Sequence, residues 1–175
     1  MREFIEKYIR PTQGDRILDM GCGTGDIMTM FSDVEYLGFD NNISYIHHAQ
    51  RKYNSPESFV HSGVADFDPA RYGVFDLVFS LGVIHHLTDI EATNMFKIAK
   101  DVLKPSGRFV TADPCFHDGQ NPITRFIVKH DRGQNVRQYN EYENIASNVF
   151  SSVKSTLWTG MRVLPFSVCI LECER

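Results

Sequence analysis

The chain has 175 residues, of which 42% are hydrophobic and 23% are charged, and its formal net charge is -4. Length and composition predict one globular domain over residues 1–175, and they exclude an intrinsically disordered chain and a small disulfide-stapled one. The acidic balance disfavours nucleic acid as a partner, because Lys and Arg carry most of the affinity for a phosphate backbone.

Targeting segments and cysteine chemistry are also constrained by the sequence. No apolar stretch approaches the roughly 20 residues that a membrane span needs, and the start MREFIEKYIRPTQ lacks the apolar core of a signal peptide. We therefore expect no membrane span and a cytoplasmic protein. The cysteines Cys22, Cys115, Cys169 and Cys173 form no CxxC pair, so neither a zinc site nor a disulfide framework is predicted.

Short apolar runs rich in Val, Ile, Leu and Phe recur along the chain and predict β-strands. In chain order they read RILDM, EYLGF, ESFVH, FDLVFS, RFVTAD, SSVKSTLW and FSVCILEC. Between the fourth and fifth runs, IEATNMFKIAKDVLK has the apolar spacing of one buried helix face. The following KPSG is predicted to end this helix, because Pro105 cannot continue it and Gly107 permits a turn into strand five at Arg108.

The order of these elements predicts the fold. Strands that alternate with helices indicate right-handed crossovers and a parallel sheet covered on both faces. The last two strands are joined by TGMRVLP, which leaves no room for a crossover helix, so they are expected to be antiparallel. The predicted fold is α/β: a doubly wound, mostly parallel, seven-stranded sheet with an antiparallel C-terminal edge hairpin and helices on both faces.

A glycine-rich turn follows the first strand and contains Gly21, Gly23 and Gly25. The dinucleotide fingerprint GxGxxG would place a glycine at position 26, where this chain has Asp26, and this counts against a nicotinamide dehydrogenase. Asp19 and Asp26 also flank the turn, where a pyrophosphate would need positive potential. A cationic ligand such as S-adenosylmethionine fits this turn better.

The second strand ends in an acid, Asp40. A carboxylate at this place can accept hydrogen bonds from the ribose hydroxyls of S-adenosylmethionine. The turn and the acid together therefore indicate a nucleoside ligand with a positively charged amino-acid portion.

These motifs resemble those of the class I S-adenosylmethionine-dependent methyltransferases. ILDMGCGTG is similar to the family's first motif, YLGFDNN to its ribose-binding acid, FDLVFSLGVIHHL to its fourth-strand motif and LKPSGRFV to its approach to strand five. The resemblance covers residues 14–113. It implies an enzyme that uses S-adenosyl-L-methionine, releases S-adenosyl-L-homocysteine and methylates a small molecule.

The resemblance also implies which residues contact the cofactor. The turn contacts the methionine and ribose portion, Asp19 lies beneath the turn, Asp40 takes the ribose hydroxyls and Asn41 flanks the adenine. The full expected set is Asp19, Gly21, Cys22, Gly23, Gly25, Asp40, Asn41, Ala65, Asp66, Ser80 and Leu81. Where many relatives have an adenine-binding Asp after strand three this chain has Val64, so Asp66 either substitutes for that Asp or is a surface-loop acid.

The turn after strand four is where the methyl acceptor is expected to approach. His85 and His86 lie in this turn, and an imidazole can remove a proton near neutral pH. Either one of them is the base, with His85 the preferred candidate, or both only shape the pocket. The turn lacks the Pro-Pro-aromatic motif of enzymes that methylate nucleic-acid bases. Asp113 alone after strand five does not establish a metal site, so no metal is predicted.

The segment after strand five, residues 114–150, is long enough to form a substrate-covering insertion of loop and helices. It carries Arg125, Arg132 and Arg137 in an otherwise acidic chain. These arginines are predicted either to bind an anionic acceptor, since Arg pairs with carboxylate and phosphate, or to form a solvated basic face. The run DRGQNVRQYNEYENI also resembles segments of bacterial methyltransferases of sugars and surface polysaccharides.

The leading hypothesis from the sequence is therefore a small-molecule O-methyltransferase with an anionic or sugar-like acceptor. The alternatives are N- or C-methylation of a metabolite and a non-catalytic S-adenosylmethionine-binding protein. Few residues precede the first strand, so we expect the segment after strand five to act as a lid, or a partner subunit in a homodimer to complete the pocket.

Overall fold

The computed structural model describes residues 1–130, 133–159 and 167–175. Within these ranges the chain forms a seven-stranded sheet of order 3-2-1-4-5-7-6. The first five strands pair in parallel, whereas β7 is antiparallel to both β5 and β6. This topology confirms the predicted α/β fold. The strands are β1 (Arg16–Met20), β2 (Glu35–Asp40), β3 (Phe59–His61), β4 (Phe75–Leu81), β5 (Leu103–Pro114), β6 (Ser152–Trp158) and β7 (Val168–Glu174).

Helices cover both faces of the sheet, as predicted. They are α1 (Arg2–Phe4), which continues as a π-helical turn (Ile5–Ile9), α2 (Ile43–Tyr53), α3 (Pro69–Tyr72), α4 (Asp89–Val102), α5 (Pro122–Lys129) and α6 (Tyr139–Ser147). Alternate strand residues face opposite ways, so Leu18 of β1 packs in the core with α4 and α6, whereas Ile17 packs in a second core with α1 and α2. Short 3₁₀ turns span Asp26–Met30, Pro56–Ser58 and Ile84–His86.

Strand β5 begins earlier than the sequence predicts. It starts at Leu103, directly after α4, and Leu103 already pairs with Phe75 of β4. Pro105 and Gly107 therefore lie inside β5, and the register shifts between Phe75 and Leu77 accommodate them. A Cβ at position 107 would lie 3.0 Å from the carbonyl oxygen of Phe75, so glycine permits the close approach of the two strands.

The N-terminal helix is held at its C-terminal end by Arg108 of β5. The Arg108 guanidinium donates hydrogen bonds to the carbonyl oxygens of Tyr8 (2.8 Å), Ile9 and Arg10 (3.0 Å). These carbonyls have no partner inside the helix, so a cation there is stabilising. The contact lies at the amino-terminal end of β5, opposite to the strand ends where ligands bind in such sheets.

The chain between β5 and β6 contains a loop whose two ends, at Phe116 and Gln138, are joined by backbone hydrogen bonds. Phe116 and Gln138 form an isolated parallel bridge, in which the Phe116 amide donates to the Arg137 carbonyl (2.9 Å) and the Tyr139 amide donates to the Phe116 carbonyl (2.8 Å). Helix α5 lies within this loop, and α6 follows it and packs against α4 and the last two strands. None of the helices in the described part of the chain is long and apolar enough to cross a membrane.

Candidate functional site

A cavity of about 680 Å³ lies at the carboxyl ends of β1 to β4. It is lined by the glycine turn, the end of β2, the loop after β3, the turn after β4 and one side of α4. Of the predicted residues, it brings together Gly21, Gly23, Asp40, Asn41, Ala65, Asp66, Leu81 and His86. This is the position expected for a ligand of an open α/β sheet.

The glycine turn needs glycine for two different reasons. Gly21 and Gly23 both have positive φ angles, +85° and +55°, which side-chain-bearing residues rarely adopt. A Cβ on Gly21 would also lie 2.4 Å from Cγ2 of Val83, so the turn after β4 packs directly on it. A Cβ on Gly23 would meet nothing within 4 Å, and this open side leaves room for a ligand.

Asp40 is fixed by two backbone amides. One carboxylate oxygen accepts from the Gly23 amide (2.9 Å) and the other accepts from the Asn42 amide (2.8 Å). Asn42 in turn caps α2, because its side-chain oxygen accepts from the amides of Ser44 (3.0 Å) and Tyr45 (3.3 Å). The acid is thereby held at the wall of the cavity, and each carboxylate oxygen keeps further lone pairs for a ligand.

Asp19 lies in β1 and is 3% exposed. Burial raises the pKa of its carboxyl to about 7, the hydrogen bond from the Tyr36 hydroxyl (2.7 Å) acts in the opposite direction, and the nearby charge of Asp40 raises the pKa further. Asp19 lies two residues before Gly21 of the glycine turn and is not among the residues that line the cavity. A positive charge bound above it would favour its ionised form.

Asp26, at the other end of the turn, is engaged elsewhere. It is exposed, it forms an ion pair with Lys52, and it accepts from the Thr24 hydroxyl (2.8 Å). These hydrogen bonds, with that of Lys52 the largest effect, lower its pKa to about 2. Its charge is thus compensated locally, so Asp40 contributes more than Asp26 to the negative character of the cavity.

The two histidines after β4 have different surroundings. His86 lines the cavity. His85 is 5% exposed and turned towards β5, where its Nδ1 lies 2.8 Å and its backbone nitrogen 3.1 Å from the same Asp113 oxygen. A Cβ on Gly133 would lie 2.0 Å from Cδ2 of His85, so the backbone of that glycine packs on the imidazole. The geometry therefore favours His86 over His85 as the histidine that reaches a ligand.

The arginines of the segment after β5 are also placed differently from one another. Arg137 is 7% exposed, and all three nitrogens of its guanidinium have acceptors inside the protein. Arg125 lies on the exposed surface of α5 with its guanidinium 5.1 Å from the ring centre of Phe116. Arg132 lies outside the described residues. Anion binding by Arg137 would thus require it to give up internal bonds, and no described residue of the segment 114–150 lines the cavity.

Three further predicted contacts support the site from beneath. Ser80 is fully buried, and its hydroxyl donates to the Met20 carbonyl (3.0 Å), which ties β4 to β1. The Cys22 side chain packs on Gly38, because a Cβ there would lie 2.9 Å from the sulfur. Gly25 has a φ of +72° and packs against the Phe59 ring.

The structure adds cavity residues that the sequence reasoning missed. They are Phe39, Asn42, Tyr45, Ser62, Gly63, Val64, Gly82, Val83, Leu87, Glu91 and Asn94. Asn42 and Tyr45 could have been found from the DNN sequence, since an Asn cap fixes the first turn of the helix after the ribose-binding acid. Glu91 and Asn94 are three residues apart on the amphipathic helix α4, and this spacing places them on one side of it.

A comparison with protein families identifies the family to which this chain belongs. A family model described as a methyltransferase domain matches residues 17–107, just over half of the 175 residues. The chain belongs to the class I S-adenosylmethionine-dependent methyltransferases. The match contains the glycine turn, Asp40 and His86. It confirms the prediction from the sequence that the cofactor is S-adenosyl-L-methionine.

Curated relatives of this methyltransferase carry different acceptor names. It is 32% identical over 125 residues to phosphoethanolamine N-methyltransferase 1 of Triticum aestivum, which corresponds to 67% of this chain and 24% of that protein. It is 31% identical over 121 residues to an O-methyltransferase of Pyrenophora dematioidea, which corresponds to 63% of this chain and 43% of that protein. The chain thus spans less than half the length of either relative.

A solved structure shows the same fold over nearly the whole methyltransferase. The geranyl diphosphate C-methyltransferase of Streptomyces coelicolor superposes with a TM-score of 0.73 at 14% identity, over 99% of this chain and 79% of that one. Membership of the family therefore establishes the fold and the cofactor. The acceptor atom differs among the similar proteins, whose names specify nitrogen, oxygen or carbon.

The first prediction concerns Gly21 of the turn. Gly21→Ala introduces both a strained φ and a clash with Val83, so we expect it to weaken S-adenosylhomocysteine binding at least roughly tenfold, as a local misplacement at a binding site does. Calorimetric titration measures this. Gly14→Ala is the matched control, because Gly14 has nearly the same φ (+84°) and no atom within 4 Å of a Cβ. Equal affinity losses in the two variants would contradict the role given to the Val83 contact.

The second prediction follows from the buried carboxyl of Asp19. Its pKa rises from 3.8 to about 7 on folding, so the native state holds a proton that the unfolded chain releases. Stability is therefore lost as pH rises from about 4 to about 7, by at most about 1.4 kcal/mol per pH unit, and the loss is constant above that. Asp19→Asn removes this dependence, so its free energy of unfolding relative to the wild type should increase between pH 5 and 8.

Urea denaturation without ligand over this pH range checks the second prediction. Asp26→Asn is the control, because the pKa of Asp26 is about 2 in the folded protein and has its ordinary value of 3.8 in the unfolded chain, so that the carboxyl is ionised in both states at these pH values. Its curve should run parallel to that of the wild type. A parallel curve for Asp19→Asn as well would show that Asp19 does not hold the proton.

Proposed function

We propose that the chain transfers a methyl group from S-adenosylmethionine to a hydroxyl oxygen of a small, uncharged acceptor such as a sugar. The observation that carries this proposal is that His86 lines the same cavity as the glycine turn and Asp40. A binding site for the cofactor and a residue able to take a proton are thus in one space, as a hydroxyl acceptor requires.

The cavity has the features that the cofactor needs. Gly21 and Gly23 let the backbone approach a ligand closely, and Asp40 presents carboxylate oxygens to ribose hydroxyls. Asn41 and the loop after β3, with Ala65 and Asp66, line the adjoining wall. When bound, S-adenosylmethionine supplies a methyl group activated by its sulfonium.

The protein's own residues would serve the acceptor in two ways. His86 would accept the hydroxyl proton as the oxygen becomes a nucleophile, and this is worth roughly a hundredfold to ten-thousandfold in rate. Residues 81–83 and α4 would hold the acceptor beside the methyl group, since alignment of the reacting atoms provides much of the acceleration in such displacements.

The charge of the cavity supports an uncharged acceptor over an anionic one. Its described lining contains the acids Asp40, Asp66 and Glu91 and no Lys or Arg. An anionic acceptor would meet repulsion from these carboxylates with no Lys or Arg of the lining to offset it. A sugar-like molecule can instead exchange hydrogen bonds with Asn94 and with the carboxylates.

The third prediction tests the cofactor site. Asp40→Ala removes a charged hydrogen-bond acceptor, so binding of S-adenosylmethionine should weaken by about 1.5 to 3 kcal/mol, which is roughly ten- to a hundredfold in affinity. Calorimetry measures this, with NAD as the competing ligand class. Asp118→Ala, at an exposed loop position, should bind like the wild type. Binding of NAD in place of S-adenosylmethionine would overturn the proposal.

The fourth prediction tests the acceptor chemistry. Purified protein is incubated with methyl-labelled S-adenosylmethionine and separate panels of sugars, phenols, carboxylic acids and amines, and the labelled products are identified by mass spectrometry. With a hydroxyl acceptor, His86→Gln should lower kcat by roughly a hundredfold and remove the acidic limb of the pH profile. His48→Gln, an exposed histidine on α2, should leave kcat unchanged.

The identity of the labelled products shows which part of this proposal holds and which part fails. A methyl group found on nitrogen or carbon would reject the hydroxyl acceptor and leave the cofactor site intact. Cofactor binding with no methylated product in any panel would favour a non-catalytic binding protein. An unchanged kcat for His86→Gln would reject His86 as the base.

A further inference from the structure

The turn after β4 is held from outside the cavity by the chain at residues 135–137. Four consecutive carbonyl oxygens of this turn accept hydrogen bonds from there. The Arg137 guanidinium donates to the carbonyls of Ile84 (3.0 Å) and Leu87 (2.7 Å). The Asn135 backbone N–H donates to the His85 carbonyl (2.9 Å), and the Asn135 side-chain Nδ2 donates to the His86 carbonyl (3.2 Å). The backbone of this turn is therefore held at each residue from Ile84 to Leu87.

All three nitrogens of the Arg137 guanidinium are engaged in this arrangement. Beyond the two turn carbonyls, Nη1 also donates to the Asn135 carbonyl (3.1 Å). The Asp89 carboxylate accepts from Nε (2.9 Å), and the same carboxylate oxygen lies 2.8 Å from Nη2 in an ion pair. The guanidinium thus makes four hydrogen bonds and one ion pair, and each of its three nitrogens takes part. A lysine has three donors around a single nitrogen, so it could not bridge the same acceptors.

Charge and chain direction explain why a cation is stabilising here. Residues Ile84–His86 form a single 3₁₀ turn, and the carbonyl dipoles of such a turn concentrate partial negative charge at its C-terminal end. Arg137 lies against that end, and Asp89, at the start of α4, balances its charge. The guanidinium thus joins the end of this turn to the beginning of α4.

The same turn faces the cavity on its other side. Val83 packs on Gly21, His86 lines the cavity, and Leu87 lines it as well. A displacement of the carbonyls of Ile84 and Leu87 would move these groups relative to the glycine turn. The position of the residues next to the acceptor therefore depends on contacts made behind them.

We propose that Arg137 is a positioning residue, which fixes the turn carrying His86 for methyl transfer through the carbonyls of Ile84 and Leu87 and makes no contact with the acceptor. This inference rests on the proposed function for its effect on the reaction, whereas its effect on the turn is independent of it. It assigns Arg137 a role different from the anion binding predicted from the sequence.

Arg137→Lys tests the proposal, with Arg108→Lys as a matched control. Both arginines donate to several backbone carbonyls, but Arg108 does so on the N-terminal helix, at the opposite end of the sheet. Amide exchange is followed by NMR at His86 and Leu87, whose amides close the turn by donating to Val83 (2.9 Å) and Ile84 (3.0 Å).

In Arg137→Lys we expect these two amides to exchange at least roughly tenfold faster than in the wild type, because local opening no longer breaks the guanidinium contacts. In Arg108→Lys they should keep the wild-type rate after correction for global stability. Unchanged rates in Arg137→Lys, or equal acceleration in both variants, would overturn the proposal.

A second readout separates positioning from general stability. With an acceptor that the wild type methylates, Arg137→Lys should lower kcat at least roughly tenfold. The S-adenosylhomocysteine dissociation constant should change by less than about threefold, since the Asp40 contacts lie on the other side of the cavity. A weakened affinity with an unchanged kcat would reject positioning.

Two outcomes keep the inference separate from the proposed function. If the wild type methylates no acceptor, the function fails, and the amide rates still decide whether Arg137 holds the turn. If Arg137→Lys does not fold, Asp89→Asn decides, because it removes the charge partner of Arg137 at an exposed position. It should accelerate exchange of the same two amides to a smaller extent, and unchanged rates would count against the proposal.

Discussion

The site depends on one carboxylate, that of Asp40, which is held by two amides from different parts of the chain. The Gly23 amide comes from the turn after β1, and the Asn42 amide comes from the start of α2. One side chain therefore sets the spacing between the first strand-to-helix turn and the second. Because Asn42 also caps α2, the helix, the turn and the acid form one unit. This wall of the cavity is formed before a ligand binds, so binding requires little further ordering of the protein.

The opposite wall of the cavity is formed by the turn after β4, and it is held in place differently. There the turn after β4 is positioned by groups that do not face the cavity, among them Arg137 on one side and Asp113 beneath. Asp113 is 1% exposed, and one of its oxygens accepts from the His85 backbone amide and lies 2.8 Å from the His85 Nδ1. Buried polar groups of this kind fix a unique geometry, since any displacement leaves a desolvated donor or acceptor unpaired. The two walls of the cavity thus meet at the contact between Gly21 and Val83.

Local sequence features were enough to predict the seven strands, the mostly parallel sheet and its antiparallel C-terminal hairpin, and to name residues that line the cavity. The glycine turn and Asp40 are adjacent to strand ends, so the fold alone brings them together. The burial and contacts of His85, His86 and Arg137 could not be predicted in this way. His85 and His86 are neighbours in the sequence, and their different burial depends on Asp113 and Gly133, which lie far along the chain. The partners of Arg137 are likewise up to 53 residues away, beyond the reach of any local pattern.

The bridge between Phe116 and Gln138 gives the loop that contains α5 a closed base. The two ends of this loop meet next to Arg137, so the residues that hold the turn, Asn135 and Arg137, lie at the base of the loop and not in α5. Doubling the length of such a loop costs only about 0.6 kcal/mol in closure entropy. Insertions and deletions around α5, whose Ile123 and Phe126 side chains are exposed, can therefore accumulate without disturbing the wall of the cavity. The length and surface of this loop are therefore weakly constrained by the fold, whereas the contacts at its base fix the turn after β4.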